Sequence, residues 1–161
     1  RPSPQGFCYW GPSGLMGEFL QTNAGATRED SDAGTTMTER FINKGWFTQA
    51  SYVLTGEDAS YNGVVPINNF DPRNGRWGAF EIAVRGSKVN IDPDVFTTGF
   101  ANPDSFPETV SEITGGINWY LNKNFKFQLN YNRTRFNRKI EIDDELFKGV
   151  DSFILQFQMS Y

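Results

Sequence analysis

The chain has 161 residues, one cysteine, no histidine and a formal net charge of −4. A lone thiol excludes an internal disulfide or a cysteine zinc cluster, the acidic balance disfavours a general nucleic-acid binder, and the missing imidazole removes the commonest general base and metal ligand. Aromatics supply 16% of residues although only 38% are apolar, a combination that fits strands apolar on one side, whether in a membrane barrel, a soluble sandwich or a lipocalin-like barrel. The sequence contains no apolar run of about eighteen residues, hence no transmembrane helix, which says nothing against a barrel. The opening Arg1-Pro2-Ser3-Pro4 lacks a signal-peptide pattern, as a mature protein or a fragment would.

About seven strand-like segments follow, longer on average than the roughly five to six residues usual in soluble domains. The first is residues 7–10, where Cys8 is a packed or lipid-facing small residue, and a turn over residues 11–14 closes it. The second, residues 15–27, alternates imperfectly. Residues 28–39 are polar and predict a loop. The third strand, residues 41–55, turns Trp46, Ala50, Tyr52 and Leu54 to one face and Gln49 and Ser51 to the other. A long stretch, residues 56–76, carries two Asn-Gly turn signals. In the fourth strand, residues 77–91, Phe80, Ile82 and Val84 oppose Glu81, Ala83, Arg85 and Ser87. Residues 92–107 form a proline-containing loop. The fifth strand, residues 110–121, sets Ile113, Ile117, Trp119 and Leu121 against Thr114, Asn118 and Tyr120. After a tight turn at residues 122–124, Phe125, Phe127, Leu129 and Tyr131 alternate with Lys126, Gln128, Asn130 and Asn132, and a polar extension runs to Phe136. Residues 137–150 predict a charged loop or an extension of the hairpin.

Residues 151–161 are the most informative. Phe153, Leu155, Phe157, Met159 and Tyr161 occupy every second position, separated by Gln156, Gln158 and Ser160. One face is apolar and the other polar but uncharged, over about the nine to eleven residues that a tilted strand needs to cross a bilayer. If Tyr161 lies on the periplasmic side, the turns at 11–14 and 122–124 are periplasmic and short. The loops at 28–39, 92–107 and 137–150 are then outside and long, the expected asymmetry, which residues 56–76 break. Seven strands leave open edges, and unpaired backbone groups in hydrocarbon cost several kcal/mol each. The expectation is therefore an all-β fold: one antiparallel transmembrane β-barrel domain of which residues 1–161 are the C-terminal part.

The closing segment resembles the last strand of a bacterial outer-membrane barrel, which implies a barrel-assembly signal in Phe153, Leu155, Phe157, Met159 and Tyr161. Three further segments carry a narrower likeness: Gly45-Trp-Phe-Thr-Gln-Ala-Ser-Tyr-Val-Leu-Thr-Gly-Glu57, Trp77-Gly-Ala-Phe-Glu-Ile-Ala-Val-Arg85, and Gly116-Ile-Asn-Trp-Tyr-Leu-Asn-Lys-Asn-Phe-Lys-Phe-Gln-Leu-Asn-Tyr131. In order and spacing they resemble the C-terminal half of the phosphate-selective porin O and P family of Gram-negative outer membranes. That family also has a long segment between its Leu-Thr-Gly-Glu and Trp-Gly-Ala-x-Glu motifs. The resemblance implies a trimeric porin of roughly sixteen strands that passes anions such as phosphate, without a cofactor. Its implied surroundings are outer-membrane lipid, lipopolysaccharide and the barrel-assembly machinery, with the C-terminus periplasmic.

Alternation predicts a pore lining of Gln49, Ser51, Glu81, Arg85, Asn118, Tyr120, Lys126, Gln128, Asn130, Gln156 and Gln158. Family members that select phosphate line the pore with Arg and Lys, and Arg85 and Lys126 are sparse beside Glu18 and Glu81. Glu81 and Arg85 stand about 13 Å apart along the strand at roughly 3.3 Å per residue. They either shape a transverse field across the pore or pair with neighbouring strands and stiffen the wall. Arg133, Arg135, Arg138 and Lys139 form an extracellular basic mouth that funnels anions, or else contact lipopolysaccharide or solvent. The acidic run Glu141, Asp143, Asp144 and Glu145 lacks the spacing of a calcium loop, so no metal is expected. Glu57-Asp58 and Asp143-Asp144 lack the fixed separation of an acid/base pair, and an enzyme is not expected. Trp46, Trp77, Trp119 and Tyr131 fit an interfacial girdle, with Tyr120 turned inward. The competing readings are a structural or partner-binding outer-membrane barrel and a soluble carbohydrate-binding β-sandwich.

Overall fold

A computed structural model describes residues 2–30, 35–142 and 145–160. Seven strands form one antiparallel sheet in chain order: β1 Gln5–Trp10, β2 Ser13–Asp30, β3 Thr35–Val53, β4 Ala79–Asn90, β5 Thr109–Tyr120, β6 Phe125–Ile142 and β7 Glu145–Met159. Among the described residues no second sheet packs against it, so the sandwich expectation is overturned. The remaining regular pieces are a 3-10 turn, Pro72–Asn74, and a four-residue helix, α1, Asp94–Thr97.

The apolar alternation sets the sidedness. Along β3, residues 41–53 alternate between covered and exposed at every step, with Trp46, Ala50 and Tyr52 exposed and Gln49 and Ser51 partly covered. Register carries the pattern across the sheet. Tyr52, Ile82, Ile117, Leu129 and Leu155 form one cross-strand rung. Val53, Glu81, Asn118, Gln128 and Gln156 form the next, on the opposite face. We call the first face outer and the second inner. Cys8 pairs with Leu15 on the outer face and is exposed.

The strands outrun the expected boundaries at one end of the sheet. Residues 28–30 and 35–39 are strand, not loop, and residues 31–34 lie outside the described residues: β2 continues to Asp30, β3 starts at Thr35, and the hydroxyls of Thr27 and Thr38 lie 3.1 Å apart across the pair. A hairpin that projects past the apolar band needs no apolar face, because its ladder satisfies its own backbone groups whatever the side chains. The same holds for residues 137–142 and 145–150. There the hairpin extension is the reading that the pairing supports, with a register shift between Arg135 and Ile140. At the other end the turns are tight. Gly11 and Pro12 alone separate β1 from β2, and Gly11 has φ 54°, the positive value that the first central residue of a II′ hairpin turn requires.

Two long connections fold over the inner face. Residues 54–78 turn back so that Ala59 and Val64 pack with Val53, Ala79 and Tyr120 in a small buried core. Backbone bonds from Ala59 N–H to Gly11 (2.8 Å) and from Phe70 N–H to Leu121 (2.7 Å) fix the path. Residues 91–108 lean inward at the opposite end. Phe100 packs edge-on against buried Phe41 at 5.2 Å, and the Arg28 guanidinium donates to the Gly99 carbonyl at 2.7 Å.

The Asp92 carboxylate anchors that second connection, accepting the N–H of Ile42 (2.7 Å) and of Asp94 (3.1 Å). These two bonds hold its carboxyl below the usual aspartate range, with Lys44 adding to the effect. A depressed folded pKa gives an anchor fully present above the ordinary value of about 3.9 and lost as pH falls through the folded one. Asp92→Ala is therefore expected to speed proteolytic nicking of residues 91–108 at pH 7 and to change little at a pH that already protonates Asp92.

Candidate functional site

The inner face is a ladder of short polar side chains held by register. Gln49, Arg85, Thr114, Asn132 and Ser152 form one rung, and Ala79, Tyr120, Lys126 and Gln158 another. All eleven residues expected to line a pore share this face. The ladder also contains positions that the sequence reading did not select. Ile154 sits inward opposite Asn130. Tyr9 and Met16 lie inward opposite Gly14 and Gln49. Alternation marks them once register is known. Ser60, Tyr61, Asn62 and Gly63 also line the inner hollow, and nothing in the sequence tells where that connection travels.

Glu81 is the organising group. Its Oε2 accepts the Tyr120 hydroxyl at 2.8 Å and the Asn118 amide at 2.9 Å, and the Gln128 amide donates to Asn118 Oδ1 at 2.8 Å. A buried carboxylate needs hydrogen-bond donors, and this relay across β4, β5 and β6 supplies them. Arg85 lies over the Phe47 ring at 4.2 Å instead. Glu81 and Arg85 thus each engage a neighbouring strand. Glu112 accepts the hydroxyls of Thr134 (2.9 Å) and Thr114 (3.3 Å) on the same face. Lys126 Nζ stands 5.3 Å from the centre of the Tyr120 ring. Tyr120→Phe is expected to destabilise the fold by about 1–3 kcal/mol by withdrawing one donor from a buried carboxylate, measurable as a lower urea midpoint.

The proposed basic mouth is divided. Arg133 and Arg135 fall on the outer-face positions of β6, and Arg135 bonds Asp151 at 3.2 Å. Arg138 pairs with Glu108 and lies over Phe96 at 5.1 Å. Lys139 is exposed. Because β6 runs on as strand, its alternation sends the first two arginines away from the inner face, so the four do not converge on an opening. Asp143 and Asp144 lie outside the described residues, and no metal-holding acidic group occurs among the described ones.

The outer face is a belt of rings near the tight-turn end. Trp119 stacks on Phe80 (5.7 Å), meets Phe70 edge-on (5.3 Å) and approaches Phe127 (6.0 Å), which contacts Phe157 (5.0 Å). The Trp119 indole N–H donates to the Trp77 carbonyl at 2.6 Å. Ile82, Val84, Ile117, Leu129 and Leu155 continue the exposed apolar surface. Phe153, Leu155, Phe157 and Met159 all face outward, Phe153 being 77% exposed, and Tyr161 lies outside the described residues. A single-layer sheet exposing this much contiguous apolar surface is built for contact with something apolar.

Comparison with known proteins agrees with this two-sided wall. A family model described as phosphate-selective porin O and P matches residues 5–161. Porin O of Pseudomonas aeruginosa is 25% identical over 96 residues, which are 59% of this chain and 22% of that protein. The chain thus matches about a fifth of the length of that relative.

Proposed function

The chain belongs to the phosphate-selective porin O and P family, and from that membership we propose that its sheet is a section of a closed outer-membrane barrel whose inner face bounds a water-filled passage for small solutes. The observation that carries this reading is the sidedness of the central rungs: amides and hydroxyls on the inner rungs of Gln49, Ser51 and Val53, and exposed aliphatic and aromatic side chains on the outer rungs of Ala50 and Tyr52. Transmembrane barrels need that polarity, inverted relative to a soluble core. Strands β1 and β7 each have one unpaired side, which hydrocarbon does not tolerate. Further strands therefore close the barrel, roughly sixteen in all for an open pore. The belt around Trp119 sits at one interface and the tight turns at the periplasmic side. Assembly as a trimer through the barrel-insertion machinery, among lipopolysaccharide, completes the proposal. Passage involves no covalent chemistry.

Residues 54–78 narrow the passage at the tight-turn end, and residues 91–108 narrow it at the other. Anion preference, which the family's description suggests, needs a ring of basic side chains. This wall contributes Arg85 and Lys126 to such a ring, opposed by Glu18, Glu81 and Glu112. In planar bilayers the full-length protein is expected to give stepwise, ohmic conductance in KCl, and an inserted protein that passes no current overturns the channel reading. Gln128→Lys is expected to move the reversal potential in a KCl gradient toward the chloride value, because it adds a charge on an inner rung between Asn118 and Gln156.

A further inference from the structure

We propose that the inner hollow between the relay and residues 60–63 is a binding subsite for a neutral, ring-shaped polyol, a pyranose sugar, rather than for phosphate; the inference rests on the channel reading above. The hollow measures about 340 Å³, at the small end of the range for small-molecule sites. Its charged side chains among the described residues are Glu81 and Lys126. They are opposite in sign and already engaged, the carboxylate by Tyr120 and Asn118 and the ammonium over the Tyr120 ring. No net charge is left for an anion to neutralise.

The rest of the polar lining is amide and hydroxyl, among them Gln49, Ser51, Ser60, Asn62, Gln128 and Gln158. Each of these groups both donates and accepts. A sugar hydroxyl does the same, so every pairing around a polyol rim can be satisfied. Phosphate oxygens mainly accept, and would meet amide carbonyls and the Glu81 carboxylate, with Lys126 over the Tyr120 ring as the cation of the lining.

The second observation concerns aromatic rings on the wet side of the wall. Phe7 and Tyr61 are 60% and 62% exposed, and their centroids lie 5.3 Å apart with planes tilted by 32°. Tyr61 lines the hollow. Phe7 is on the same face through its pairing with Met16, and Met16 through its pairing with Gln49. The ring belt around Trp119 lies on the outer face; these two rings lie on the inner one. A flat apolar ring beside a dense amide lining matches a pyranose, which has a C–H face to lay on the ring and a rim of hydroxyls to bond.

The test records KCl current through the full-length protein in planar bilayers, with maltotriose and inorganic phosphate as the added probes. Maltotriose is expected to reduce the current in a saturable way, while phosphate substituted for chloride gives no saturable block. Tyr61→Ala is expected to raise the half-blocking maltotriose concentration about tenfold, and Tyr61→Phe to keep the wild-type block. Saturable block by phosphate without block by maltotriose overturns the inference and leaves the channel intact. Maltotriose block that ignores Tyr61→Ala overturns the assignment to this hollow. If the protein passes no current, the channel reading fails, and equilibrium dialysis of maltotriose against the detergent-solubilised protein decides the subsite separately: saturable binding weakened by Tyr61→Ala supports it, and no binding overturns it.

Discussion

Replacing Leu129 with lysine is expected to lower the stability of the membrane-inserted protein by roughly 2–4 kcal/mol, while lysine at the adjacent Gln128 folds as the parent does. The two positions differ by one residue and by the whole dielectric they meet. Leu129 is 48% exposed on the outer face, in a rung with Ile117 and Leu155. An ammonium there must shed its hydration near the bilayer midplane or pull water and headgroups inward, and either route is costly. Gln128 lies on the inner rung beside Asn118 and Gln156, where a lysine keeps its water. The measurement is reversible urea unfolding in bilayers of the full-length protein, comparing both variants with the parent. Equal tolerance of the two substitutions would sink the assignment of faces, and with it the passage.

Gly78→Ala is the second large effect, and it acts through one backbone position. Gly78 has φ +74°, and a Cβ there would stand 2.2 Å from the Tyr120 carbonyl oxygen and 3.2 Å from its carbon. The left-handed conformation alone costs an L-residue roughly 1–2 kcal/mol, and overpacking against backbone adds roughly 1–3. A total of about 2–5 kcal/mol is expected. The site explains why glycine stands there. Residues 54–78 have crossed the inner face and must return to the ladder at Ala79, beside Tyr120, without pushing β4 off β5. The control is Gly86→Ala, where an added Cβ meets nothing within 4 Å, with an expected change within about 0.5 kcal/mol. Heat-dependent unfolding followed on gels should separate the two, and a Gly78→Ala variant as stable as Gly86→Ala would contradict the described return path. Because Tyr120 also donates to Glu81, the same variant is expected, on the proposed channel reading, to change conductance even in the molecules that stay folded.

The sequence legibly carried the strands and their faces. In β3, β4, β6 and β7 the apolar alternation is enough to fix strand and sidedness, because side chains on a pleated backbone have a period of two and cannot choose otherwise. The shared face of Gln49 through Gln158 follows from the same rule. Boundaries failed where side chains stop reporting on the backbone: residues 28–39 are polar, yet inter-strand hydrogen bonding continues through them to Asp30 and from Thr35. The basic run misled for a related reason. Four cations close in sequence look like one patch, whereas strand alternation turns Arg133 and Arg135 to the outer face and the local geometry pairs Arg138 with Glu108.

Tertiary structure alone decided what fills the inner side. No periodicity predicts that residues 54–78 double back to bury Ala59 and Val64 against Tyr120, or that Tyr61 comes to rest beside Phe7. An irregular connection has no repeating geometry, so its path is set by contacts with strands distant in the chain. Those contacts exist only after the strands have taken their register. Local covalent geometry therefore wrote the wall into the sequence, while long-range packing shaped the opening within it.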